Sequence, residues 1–245
     1  MDLVKLIDYR NNLHHMGYKN QALMVRKQID NLFTNISISN LDNVEIVVSR
    51  YNENLDWLLP YSKFVIVYNK GKPLTVNLPF KSIRNIENVG RESHTYLYHI
   101  INNWDNLAKN TLFIQGNIDD HDNILPIKLY LLSNLSICIN LSSNKLDILN
   151  WNRLHYNKKW KEMIRNKPWK YSKYTFSQWW DIYLQKPKPQ SNNFKWSPGG
   201  IFSIQRELIK KHPLEYYQKL ITTLDNHINP EEGHYFERSW YYLFN

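Results

Sequence analysis

The sequence predicts an α/β domain built on a mostly parallel sheet flanked by helices, with a helical hairpin ahead of it. Three observations carry this. Short, β-branched apolar runs at residues 44–49, 64–68 and 111–114 each stop in a polar cluster, as strands buried on both faces do when they reach the sheet edge. Stretches with apolar residues three and four apart alternate with them. The resulting order of strand, crossover, strand, helix, strand is the one that right-handed parallel connections produce.

Taken in chain order, residues 3–33 read as two short amphipathic helices broken at Gly17, the second carrying Ala22, Val25, Arg26, Ile29 and Leu32 at helical spacing. This is an appendage spanning residues 1–40, and the main domain spans 43–245. The first strand ends at Arg50, Tyr51, Asn52 and Glu53; the second stops at Asn69, Lys70 and Gly71. Gly90, Arg91 and Glu92 then open a helix running to about Trp104, with Tyr96, Leu97, Ile100 and Ile101 as its core face. The third strand breaks into Gln115, Gly116, Asn117, Ile118, Asp119, Asp120 and His121. Residues 129–141 are apolar and fit helix or strand, and 151–188 are rich in Trp, Tyr and Lys without a clean period. A further strand is entered through Gly199 and Gly200 at residues 196–204. Helices follow at 206–211, stopped by Pro213, and at 214–227, and a last one at 233–244 places Phe236, Trp240, Leu243 and Phe244 on one face.

Composition narrows the function classes. With 42% hydrophobic and 14% aromatic residues in 245, the chain has ample material for one large core and is far from a disordered composition. No apolar run approaches the roughly 20 residues of a membrane span, and Asp2, Lys5 and Asp8 interrupt the start where a signal peptide needs a continuous apolar core. The expectation is a cytoplasmic protein. Cys138, the single cysteine, lies in an apolar run and reads as a buried thiol. A net charge of +9 suits a polyanionic partner. Yet the basic residues are dispersed, densest at 153–188, and no zinc-finger, helix-turn-helix or ribonucleoprotein pattern accompanies them. A phosphate-bearing small substrate accounts for the charge equally well, and nucleic acid is not the expected partner.

In an open parallel sheet, ligands bind beyond the carboxyl ends of the strands, where loops and helix N-termini converge. That rule selects Tyr51-Asn52-Glu53, Gly90-Arg91-Glu92 and residues 115–121. Asp119, Asp120 and His121 offer the oxygen and nitrogen donors that magnesium or manganese accepts. A metal there would bridge the phosphates of a nucleotide-sugar as the nucleoside diphosphate departs. The plain alternative is a solvated turn in which one aspartate caps the next segment. Arg91 offers a planar fork to a pyrophosphate, and Gly90 its backbone amide; equally, the pair is a helix start with Glu92 in the first turn. His94 and His99, on that helix, read as surface or core histidines. Near the C-terminus, Glu231, Glu232, His234 and Glu237 gather around a helix start beside Arg238. Glu237 is the candidate base: a carboxylate in a partly apolar cleft has its pKa raised toward taking an acceptor hydroxyl's proton. An exposed, ion-paired helical glutamate is the competing reading. The aromatics between Trp151 and Trp196 suit either a sugar platform or core packing.

The stretches VVSRYNENLDWL (47–58), VIVYNKG (65–71), NVGRESHTYLYHIINNWDNL (88–107), TLFIQGNIDDH (111–121), GGIFSIQRELIKKHP (199–213) and HYFERSWYYLF (234–244) resemble a domain family of fungi, bacteria and large DNA viruses. Its members look like glycosyltransferases of the GT-A fold, a Rossmann-like architecture. The turn at Tyr51, Asn52 and Glu53 is similar to the nucleotide-contacting turn of family 2 glycosyltransferases. The segment of Gln115, Gly116 and Asn117 through His121 stands where that fold carries its Asp-x-Asp metal motif. No Asp-x-Asp is present, only Asn117-Ile118-Asp119 and the pair Asp119-Asp120, so a metal requirement stays open.

The resemblance implies that Tyr51, Asn52, Glu53, Gly90, Arg91, Gln115, Gly116, Asn117, Gly199 and Gly200 bind substrate. It further implies that Asp119, Asp120, His121 and His234 bind a divalent manganese or magnesium ion, and that Glu237 is the catalytic base. The expected activity is hexosyl transfer in glycan biosynthesis, from a nucleoside diphosphate-sugar donor to a hydroxyl of a glycan, lipid or protein acceptor. A catalytically silent nucleotide- or carbohydrate-binding module of the same fold is the alternative.

Overall fold

A computed structural model describes residues 43–74, 78–117, 151–152, 168–189, 194–195 and 197–245, together with residues 9, 13, 16–18, 20–21, 24–25 and 28. The chain divides into two compact units, one of Met1–Asp42 with Asp122–Leu135 and one of Asn43–His121 with Ser136–Asn245. In the first, helical residues flank a turn at Met16 and Gly17, where Gly17 takes φ +84°. Tyr18 donates its N–H to the Leu13 carbonyl there. Asp119, Asp120, His121, Cys138 and the apolar runs at 129–141 lie outside the described residues, as do residues 153–167.

The second unit is α/β. Its five-stranded sheet has the order β3-β2-β1-β4-β5, with β1 at Val44–Arg50, β2 at Val65–Asn69, β3 at Ser82–Asn85, β4 at Asn110–Gln115 and β5 at Phe202–Gln205. β1 pairs in parallel with both β2 and β4, and β2 with β3. β5 runs antiparallel to β4, with Phe113 opposite Phe202. Every residue of β1 and β2 is buried, so neither alternates: Ile46, Val47 and Val48 and residues 65–68 read as continuous apolar runs, with Glu45, Ser49, Arg50 and Asn69 as buried polar residues. The strand pattern of the sequence therefore appears in the fold. β3 does not follow it: Ser-Ile-Arg-Asn is short, polar and largely exposed at the sheet edge, where a strand needs no apolar run and edge chemistry favours charge.

Helix α1 (Arg91–Asn102) packs on β1 and against two later helices, α4 (Leu214–Ile221) and α5 (Glu231–Phe244). Tyr96, Leu97 and Ile100 are buried as expected, whereas Ile101 is only half-buried. The Tyr96 ring contacts Phe113 of β4 at 4.8 Å, Phe202 of β5 at 5.8 Å and Trp240 of α5 at 6.0 Å between centroids. One aromatic interface thus joins helix, sheet and C-terminus.

Helix α2 (Phe176–Trp179) opens with a capping box in which Thr175 and Gln178 satisfy each other's backbone donors, and continues as a π turn over Trp180–Leu184. Its Phe176, Trp179 and Trp180 are fully buried, with Phe176 5.0 Å from Tyr235. These aromatics serve the core. α3 is a single turn, Arg206–Ile209. Pro213 and Pro230 stand at the N-caps of α4 and α5. Glu231 and Glu232 in the first turn of α5 suit the positive end of its dipole. Among the described residues no helix is long and apolar enough to cross a membrane.

Candidate functional site

The strand order turns back at β1, whose neighbours β2 and β4 lead away in opposite directions, and the loops leaving the carboxyl ends of these strands part there to open a crevice. A cleft of about 550 Å³ lies at this edge. Its walls include Arg50 at the end of β1, Tyr51 and Glu53 after it, Lys70 after β2, and Gln115 at the end of β4. Asn88, Arg91 and Glu92 come from the start of α1, and Ile228 and Asn229 from the turn before α5.

The β1 turn is built by its own side chains. Oε2 of Glu53 accepts the backbone N–H of Tyr51 at 2.7 Å and of Asn52 at 3.2 Å. Arg50 donates to the Glu53 carbonyl at 3.0 Å, to Oδ1 of Asn69 at 2.6 Å and to the Lys72 carbonyl at 3.0 Å. Oδ1 of Asn52 accepts the Lys72 N–H at 2.9 Å. The loops after β1 and β2 are thereby tied together, with no room for a side chain at Gly71, where a Cβ would lie 1.5 Å from the Tyr51 carbonyl oxygen. Gly116 does the same for the β4 loop: its N–H donates to Ser49 at 2.8 Å, and a Cβ there would sit 2.7 Å from Glu53 Oε2.

The opposite wall is strained. Gly90 and Arg91 both take left-handed backbone angles, φ +60° and +54°. A Cβ on Gly90 would strike Leu224, whereas Arg91 holds this conformation with a Cβ, which costs about 1–2 kcal/mol. Lys70 braces the turn from below, donating to the carbonyls of Val89 at 2.6 Å and of Arg91. Burial lowers its pKa from the ordinary 10.5 to about 7, partly countered by Glu92. The Arg91 guanidinium reaches Oε2 of Glu92 at 3.4 Å, Oδ1 of Asn229 at 3.3 Å and Nε2 of His234 at 3.1 Å.

Of the residues that the sequence nominates, Tyr51, Glu53, Arg91 and Gln115 share the cleft. Asn52, Gly90 and Gly116 shape its loops from behind. Gly199 and Gly200 lie beside it: Gln115 donates to the Gly199 carbonyl at 2.7 Å, and a Cβ on Gly200 would meet Glu92 at 3.1 Å. Asn117 is not part of the wall, and Asp119, Asp120 and His121 lie outside the described residues. Among the described residues no three His, Cys, Asp or Glu side chains gather to hold a metal.

His234 is buried and its Nε2 accepts from Arg91, a contact that takes the lone pair a metal would need. Burial, with Arg91 nearby, lowers its pKa to about 4. Glu237 reverses an expectation. Desolvation by burial would raise its pKa, but His234, with Nδ1 3.7 Å from Oε2, and the charges of Arg238 and Arg91 outweigh that and lower it to about 2. Its Oε1 also accepts the Gly199 N–H at 3.0 Å.

Lys70 and Asn229 are cleft residues to which the sequence reading gives no role, and Glu92 is one that it places in a selected cluster only as a first-turn helix residue. Lys70 was findable, since it follows a strand end like the other nominated clusters. Asn229 carries no local signal; only the fold brings its turn here.

The DUF3431 family, proteins of unknown function, matches residues 46–245. The chain belongs to this family. The DUF3431 match spans every residue of the cleft, from Ser49 to Asn229, and the sheet that positions them. No curated protein and no solved structure matches the DUF3431 chain.

Proposed function

We propose that the cleft binds a nucleoside diphosphate-sugar and that the protein is a glycosyltransferase of GT-A-like architecture. The observation that carries this reading is the convergence of Tyr51, Glu53, Arg91 and Gln115, with Lys70, on one cleft where the strand order turns back. Such switch points are where open α/β sheets bind nucleotides. Three basic side chains on the wall, Arg50, Lys70 and Arg91, set against the carboxylates of Glu53 and Glu92, suit a diphosphate, and about 550 Å³ falls in the range of small-molecule sites.

In the transfer, an acceptor hydroxyl oxygen forms a bond to the anomeric carbon while the bond from that carbon to the phosphate oxygen breaks. The electron pair leaves with the diphosphate, whose growing charge Lys70 and Arg91 would offset. The acceptor's proton needs a carboxylate facing the cleft. Of the two carboxylates among the described residues of the wall, Glu53 holds two backbone donors on Oε2 at 2.7 and 3.2 Å, whereas Oε2 of Glu92 meets Arg91 at 3.4 Å, and Glu92 is the group assigned to receive it. A manganese or magnesium ion, if held by Asp119, Asp120 and His121, would add Lewis-acid stabilisation of the diphosphate.

Isothermal titration calorimetry with uridine and guanosine diphosphate-sugars, with and without manganese, tests the reading. Heat of binding with at least one donor is the expected result; none with any donor overturns it. Glu92→Gln should then lower turnover by about 100-fold or more while donor affinity is kept.

The second reading is a silent binding module, and the state of Glu237 favours it: a carboxylate with a pKa near 2, held by His234 and Gly199, is a poor proton acceptor. Donor binding without transfer or hydrolysis in any acceptor mixture, and with no effect of Glu92→Gln, would establish that module.

A further inference from the structure

The guanidinium of Arg91 is held at its Nη1 end by neutral partners, Oδ1 of Asn229 at 3.3 Å and Nε2 of His234 at 3.1 Å. Guanidinium groups only donate, so Nε2 must be the accepting nitrogen and the ring proton sits on Nδ1. Nδ1 faces Oε2 of Glu237 at 3.7 Å. The Glu237 carboxylate is fixed in turn by the Gly199 N–H at 3.0 Å and flanked by Arg238 at 3.9 Å. The imidazole lies against Trp169, 5.1 Å between ring centroids. Gly233, one residue before His234, leaves Arg91 its space, since a Cβ there would lie 3.2 Å from the arginine Cδ.

The geometry points to His234 and Glu237 as positioning residues: Glu237 sets the tautomer of His234, and His234 holds the Arg91 guanidinium on the cleft wall for a diphosphate without touching the ligand. This rests on the reading of the cleft as a diphosphate site. The chemistry explains why an imidazole stands here. Nε of Arg91 already meets the Glu92 carboxylate at 3.4 Å, so a second carboxylate at Nη1 would neutralise the guanidinium further and repel phosphate. A neutral acceptor fixes that end of the fork without adding negative charge. The carboxylate that the ring needs is set one group further away, where Arg238 offsets it.

Inorganic pyrophosphate, measured by calorimetry against the full chain, is the probe. Arg91→Ala and His234→Ala should each weaken it by about tenfold, the scale of one hydrogen bond to a charged group. Because His234 acts only through Arg91, the double variant should bind no more weakly than Arg91→Ala alone. His234→Gln, whose amide oxygen can accept from Arg91, should restore affinity to within about threefold. If His234→Ala does not fold, His234→Phe keeps the packing on Trp169, removes the acceptor and carries the same expectations.

Additive losses in the double variant, full affinity in the single one, or no rescue by glutamine would overturn the proposal and show a purely structural role. Wild-type protein that binds neither pyrophosphate nor any nucleotide-sugar would overturn the cleft reading itself, which separates the two failures.

Discussion

Arg91 stores strain where charge is wanted. A non-glycine residue at φ +54° is uncommon, and such residues cluster at sites where geometry is imposed by the surroundings. Arg91→Gly should therefore melt higher than Arg91→Ala, since alanine keeps the left-handed strain of about 1–2 kcal/mol while both lose the guanidinium. Thermal melts of the two variants read the difference, and equal melting temperatures would mean that the backbone is relaxed. Lys70 adds a pH signature. Its pKa falls from 10.5 to about 7 on folding, so between those values the unfolded chain binds the proton that the folded chain gives up, and stability rises with pH. The cost is fully present below about pH 7 and gone above 10.5. Urea unfolding of wild type and Lys70→Met at several pH values across that window should show the slope in the wild type and a flatter dependence in the variant.

At the scale of elements, the loops after β1 and β2 and the C-terminal helix set the site. Gly71→Ala places a Cβ against a backbone oxygen of the β1 loop, with no flexible side chain to yield. A loss of about 3 kcal/mol or more is expected in chemical denaturation. Trp240 is fully buried in α5 and packs 4.9 Å from Phe202 and 5.2 Å from Phe236; Trp240→Ala should cost about 3–5 kcal/mol.

The elements that bear such weight were legible in advance. β1, β2, β4 and α1 were readable to within a residue or two because full burial writes itself as an apolar run or a helical stripe. The last helix was readable too, from its aromatic face. β3 was not, because an edge strand of four polar residues has no pattern to show. Nor was the role of residues 168–189, whose Trp179 and Trp180 serve the core through one short α-helical segment and a π turn rather than a long amphipathic helix.

Across the whole molecule, legibility of the site follows the same rule. Tyr51, Arg91 and Gln115 stand directly at strand or helix ends, so the general geometry of parallel sheets was enough to nominate them. Glu237 was expected to have a raised pKa, whereas His234 and Arg238 on the same helix, with Arg91 from α1, lower it against desolvation, and sequence spacing shows only part of that.

The consequence is an acid limit on stability. Glu237 contributes stability that is fully present above its ordinary 4.5 and lost as pH falls through about 2; by linkage this is on the order of 3 kcal/mol. His234, lowered from 6.5 to about 4, adds a decline that begins earlier, as the unfolded chain takes up its proton first. Glu237→Gln should flatten the lower part of the profile, below about pH 4.5, in urea titrations, while an unchanged profile would show the carboxylate to be unpaired.

The walls of the cleft come from chain positions as remote as Ser49, Gln115 and Asn229, so no fragment that lacks β1, β4 or the turn before α5 can reproduce the site. Whatever fills it must act as a thermodynamic clasp on the complete fold. A compound at about 100 times its dissociation constant would add about 2.7 kcal/mol to unfolding, enough for simple melting-point screening of a chemical library to reveal the natural occupant before any assay for it exists.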